Sequence, residues 1–202
     1  MPRHFLRQNG RSMHNLMRVV FLLVLAITLG GCVGNRPTLV VFVGGAGLSQ
    51  LGDLKTAVSA ACPDADVIEI SAWDGFRSDV ARVINARQPR GVVLIGHSFG
   101  CETIARAATQ LRTVDLAVLI EPAWDDIVLP RNVQSCLWYQ RSEIGMERRA
   151  VVHGGGRPIT VPGGHNDLPR TPEVIVEVVR FVDRISARHA TQERMQHLMR
   201  RP

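Results

Sequence analysis

The residues most suited to covalent chemistry are five in a row, Gly96-His97-Ser98-Phe99-Gly100. A serine hydroxyl attacks a carbonyl only when it stands clear of its neighbours and has a base beside it. Glycines two positions before and after Ser98 allow a turn too tight for side chains, which strains the serine backbone and exposes Oγ. The apolar run at residues 92–95 leads into this turn, and a helical segment from Phe99 leads out. That context turns a short pattern into a predicted strand–elbow–helix. At the start of the helix the backbone N–H of Phe99 faces the place where an oxyanion would develop. A tight turn without catalysis would need the same glycines, so the case rests on finding partners for Ser98.

The elements that must position these partners alternate. Residues 39–43 form a short β-branched run that ends in Gly44-Gly45-Ala46-Gly47. Leu48, Leu51, Leu54 and Val58 recur at helical spacing, and Cys62-Pro63 stops that helix. Residues 67–70 read as a second strand, and Phe76, Val80, Val83 and Ile84 as one face of a second helix. Residues 92–95, 116–120, 135–139 and 159–161 give four more strands, and a helix from Phe99 to Leu111 follows the elbow. Val174, Val178, Phe181, Val182 and Ile185 line the last helix. Short apolar strands between amphipathic helices predict a mostly parallel sheet of about six strands, covered on both faces. Reactive groups in such sheets gather at the carboxyl ends of the strands.

With the elbow and this alternation in view, residues 39–185 resemble a compact member of the α/β-hydrolase superfamily. The resemblance implies a single domain over 39–186 and metal-free, cofactor-free acyl chemistry. It implies that the glycine loop after the first strand completes the oxyanion hole, with Ala46 as the donor and Gly45 as the neighbouring choice. No Gly-Lys-Ser/Thr follows that loop, so a nucleotide cradle is excluded. Family order places the base late in the chain. His189 and His197 fall in a polar tail, and His153 precedes the last strand. His165, in Pro162-Gly163-Gly164-His165-Asn166-Asp167, stands between the last strand and the last helix and is the expected base. The acid that orients it is expected at Glu121, in Leu119-Ile120-Glu121-Pro122-Ala123. That stretch resembles the strand–Asp–Pro–Ala segment of some lipases, with Glu for Asp. Asp125, Asp126, Glu143 and Asp167 remain alternatives.

The first 31 residues read as an address. Four arginines and no acid precede an apolar run at 19–29, which closes on Gly30-Gly31-Cys32. Eleven or so apolar residues are short of the ~20 that span a bilayer. Leu29-Gly30-Gly31-Cys32 resembles the lipobox of bacterial lipoproteins, which implies acylation of Cys32, residues 32–38 as lipid-bearing tether, and the cell envelope as location. No acidic sorting residue follows Cys32, so the outer membrane is the expected destination where the cell has one. The net charge of +6 is concentrated in this leader. Without its four arginines the chain holds 20 basic and 18 acidic residues, too even a balance for nucleic acid. A basic helical tail at 187–202 reads as a solvated helix end. Cys62, Cys101 and Cys136 show no metal-ligand spacing and read as small buried hydrophobes.

The expected activity is hydrolysis of a carboxylic ester or thioester through an acyl-enzyme at Ser98, in a shallow pocket without a lid domain. Its rival is an envelope lipoprotein that uses the same fold only to bind.

Overall fold

The computed structural model describes residues 38–45, 50–71, 79–123, 126–142 and 150–200. The leader, Cys32, Ala46, Leu48, Phe76, Asp125 and Glu143 lie outside them. Pro37–Pro202 is a single unit. In chain order its elements are β1 (Thr38–Val43), α1 (Gly52–Ala61), β2 (Ala65–Ile70), α2 (Val80–Arg87), β3 (Gly91–His97), α3 (Phe99–Ala108), β4 (Leu116–Ile120), β5 (Ile127–Val128), β6 (Cys136–Arg141), β7 (Val152–His153), β8 (Ile159–Val161) and α4 (Pro172–Met199). A 3₁₀ turn, Leu168–Arg170, precedes α4.

Six strands form one sheet in the order β2-β1-β3-β4-β6-β8, and every pair is parallel. The near-continuous apolar runs of β1, β3 and β4 fit burial on both faces, because alternate residues feed two cores. Leu39, Val41, Val43, Val92, Leu94, Ala117, Leu119 and Trp138 pack with Val80, Ile84 and Ile104, from α2 and α3. Val40, Phe42, Val93, Ile95, Val118, Ile120 and Tyr139 pack with Leu54, Val58, Val174, Val178 and Val182, from α1 and α4. The expected single-domain α/β arrangement, helices on both faces of a parallel sheet, is the one the chain adopts.

The structure differs from expectation in several places, among them the end of α3, which stops at Ala108 and not at Leu111. β5 and β7 form a separate two-stranded parallel pair, and two-residue strands are too short to carry a readable period. β3 runs on to His97, and β6 runs on to Arg141 rather than stopping at 139. α1 begins at Gly52, with Leu51 as its N-cap. Finally, α4 passes unbroken through the expected start of a tail at 187. Its later turns are held to the amino end of the sheet. Asp115, just before β4, accepts the Val92 N–H at 2.9 Å, bonds His189 Nε2 at 3.0 Å and pairs with Arg188. Arg90 and Glu193 add an ion pair at 2.8 Å. His189 is therefore built into the sheet's amino edge and does not sit in a free tail.

Candidate active site

β3 ends at His97 and α3 begins at Phe99, leaving Ser98 alone to turn the chain. Its backbone stands at φ 55° and ψ −125°, outside the ordinary regions for an L-residue. Two hydrogen bonds hold it there, from the Ser98 N–H to the Ile120 carbonyl and from the Cys101 N–H to the Ser98 carbonyl, both 3.0 Å. The flanking glycines are required by contact. A Cβ on Gly96 would lie 2.7 Å from the carbonyl carbon and oxygen of Gly100. A Cβ on Gly100 would overlap the Val43 carbonyl oxygen, with its carbon at 2.8 Å. The loop after β1 also runs against the serine, since a Cβ on Gly45 would lie 3.0 Å from Ser98 Cβ. Ala46 is outside the described residues.

Glu121 follows β4 as Ser98 follows β3, and the β3–β4 register pairs His97 with Ile120. It too takes a positive φ, 48°, with its N–H donating to the Tyr139 carbonyl at 2.9 Å. Its buried carboxylate is gripped by Arg141. The Arg141 N–H donates to Oε2 at 2.8 Å, and Nε lies 3.3 Å from Oε1.

His165 lies half-buried on the loop that leaves β8. Three influences act on its imidazole. Burial, the largest, pushes its pKa below the usual 6.5, the Glu121 carboxylate raises it, and the Arg141 guanidinium lowers it. Net, the ring is neutral at neutral pH, the form that accepts a proton. Glu121 thus lies within electrostatic reach of His165. Among the described residues, no hydrogen bond yet joins the imidazole to Ser98 or to Glu121. Such contacts tighten when substrate arrives in many enzymes.

The other sequence candidates are elsewhere. Asp126 accepts the Val151 N–H at 3.0 Å and lies 3.7 Å from Nε2 of exposed His153. Asp167 accepts the Gly164 N–H at 3.2 Å and braces the turn that carries His165. His197 is exposed near the end of α4. Cys62, Cys101 and Cys136 are free. Cys101 sits under the elbow, its Sγ 3.3 Å from the Gly96 carbonyl oxygen, and burial drives its thiol pKa well up. Burial pushes the Cys136 thiol up to about 12, so neither is a thiolate nucleophile. Among the described residues, no cluster of three His, Cys, Asp or Glu could hold a metal.

Two residues at this edge were not singled out in the sequence. Arg141 gave no signal, because its place depends on β6 running two residues past its apolar stretch. His97 sat inside the motif itself, at a position the elbow leaves unspecified.

No family model matches the chain. No curated protein matches it either. Among solved structures, a protein of Xanthomonas campestris pv. campestris, described as a candidate hydrolase of the alpha/beta superfamily, is similar over 74% of this chain and 97% of its own. Identity is 15% and the TM-score 0.49. That likeness concerns fold and assigns no activity here. The chemistry rests on the side chains themselves.

Proposed function

We infer that the chain is a serine hydrolase that cleaves a carboxylic ester or thioester. The observation that carries this reading is the strained turn at Ser98, cleared by Gly96 and Gly100, on the sheet edge that also bears Glu121 and the His165 loop. Strain of this kind costs on the order of 1–3 kcal/mol and survives where surrounding structure enforces it.

In the reaction, neutral His165 takes the proton of Ser98 Oγ as the oxygen attacks the acyl carbon. The backbone N–H groups of Phe99 and Ala46 receive the oxyanion. His165 then protonates the departing alcohol or thiol, leaving an acyl group on Ser98. Water, deprotonated by the same imidazole, releases the acid. Glu121 holds the imidazole tautomer and stabilises the imidazolium, while Arg141 holds that carboxylate in place. Acylation at Cys32 would fix the enzyme to a bacterial envelope membrane, the outer one where it exists. This part rests on the leader sequence alone.

A fluorophosphonate probe tests the nucleophile directly. Labelling of the wild type, lost in Ser98→Ala together with roughly 10⁴–10⁶-fold in p-nitrophenyl ester turnover, is the expected result. A folded wild-type protein that neither labels nor turns over is instead the binding module. Glu121→Gln should cost on the order of 10⁴-fold, and Glu143→Gln under about tenfold. The reverse ranking moves the acid to Glu143. Loss of acyl label and membrane fractionation in Cys32→Ser checks the anchor.

A further inference from the structure

His97 is an imidazole with 3% of its surface exposed, deeper than either Ser98 or Glu121. A polar ring buried to that extent needs a partner. Its Nε2 lies 2.9 Å from the backbone carbonyl oxygen of His165. A carbonyl oxygen only accepts, so Nε2 carries the hydrogen and donates it. The two rings also meet, with centroids 4.9 Å apart and planes tilted by 38°.

This bond does something the rest of the loop does not. The other hydrogen bonds of residues 162–167 are local. The Gly164 N–H goes to Asp167 at 3.2 Å, and the Asp167 and Leu168 N–H groups return to the Gly164 carbonyl at 3.0 and 3.3 Å. They shape the turn without placing it. Among the described residues, the His97 bond is the one that ties this turn to the sheet. It starts from the residue covalently next to Ser98, across 68 positions of sequence.

We propose that His97 is a positioning residue, which hitches the backbone of His165 to the nucleophile strand and so sets the distance between base and nucleophile. This rests on the hydrolase reading above. The geometry explains why a histidine suits the position: it fills the space beside the His165 ring and presents a single N–H to the carbonyl. Its burial also suits the chemistry. A cation beside His165 would oppose the imidazolium formed in each cycle, and desolvation holds the His97 pKa down at about 4.

The test compares two variants of the full chain. His97→Phe keeps a ring of similar size but removes the donor. His97→Gln restores an N–H at comparable reach. Misplacement by about 1 Å costs a reaction on the order of 10²-fold. His97→Phe should therefore lose roughly 10–100-fold in kcat with KM changed by less than about twofold, while His97→Gln returns to within about fivefold of wild type. Backbone NMR relaxation should show new motion at residues 162–167 in His97→Phe and not in His97→Gln. Wild-type kcat in His97→Phe, or equal loss in both variants, overturns the proposal, as does a loop unchanged in His97→Phe. Failure of the wild type itself to turn over overturns the hydrolase reading and the catalytic role with it, and the relaxation data still decide whether His97 holds the loop.

Discussion

Gly100→Ala offers the sharpest check on the elbow. The added methyl has no free direction, because it meets backbone and not the end of a flexible side chain. It would overlap the Val43 carbonyl oxygen and lie 2.8 Å from the Val43 carbon and 3.1 Å from the Gly44 oxygen. Ordinary carbon contacts begin near 3.5 Å, so either the end of β1 or the start of α3 must retreat. The end of β1 is held, by β2 on one side and β3 on the other. Overpacking against so little slack falls at the upper end of the usual 1–3 kcal/mol, about 3. For a domain of this size that is a melting point lower by roughly 6–12 °C. Gly52→Ala is the matched control. Its Cβ meets nothing within 4 Å at the first position of α1, so the change should gain about 0.4–1 kcal/mol. Thermal unfolding followed by circular dichroism reads both. A Gly100→Ala protein melting within 2 °C or so of wild type would show that the elbow is not packed as described.

Further expectations concern charge. On the proposed mechanism turnover needs neutral His165, so kcat/KM should fall as pH drops through a pKa below 6.5. Arg141→Gln removes a charge that lowers this pKa, and the acid limb should move to higher pH; a pH–rate profile shifted the other way refutes the electrostatic assignment. Stability should also fall on acidification. His97 titrates near 6.5 when unfolded and at about 4 when folded, so between these values the unfolded chain binds more protons. The contribution is intact above 6.5 and declines by about 3 kcal/mol as pH falls to 4. Denaturant melts at the two pH values should show a smaller decline in His97→Phe, and an equal one counts against the assignment. Asp115→Asn removes the charge that Arg188 and His189 share at the opposite edge, at a cost of about 1–2 kcal/mol. Ester turnover should be unchanged, and a selective loss of turnover would link that edge to the site.

What the sequence made legible was local. The elbow could be read because glycine, serine and glycine need only each other and the two flanking elements. The His165 loop could be read because it lies between the last strand and the last helix. Glu121 was one choice among several carboxylates, since choosing requires the β4–β6 register, which brings Arg141 to its carboxylate. No periodicity encodes that. The tie from His97 to His165 was hidden for the same reason, as was the clasp on Asp115, whose partners lie 73 and 74 residues away. A charged helix end in a sequence gives no sign that it has anything to hold.

Three described residues other than glycine take a positive φ, and two of them, Ser98 and Glu121, stand at strand ends on the candidate site and bear on the history such a chain can have. Each places a Cβ where glycine would rest without penalty, at a cost near 1–2 kcal/mol apiece. Random substitution accepts relief of that kind readily once nothing opposes it. A lineage that had given up catalysis would drift toward glycine or asparagine at both strand ends and become sturdier as it did so. On the hydrolase reading proposed above, it is the chemistry of the two side chains, and not the stability of the fold, that would keep a serine and a glutamate at these strand ends.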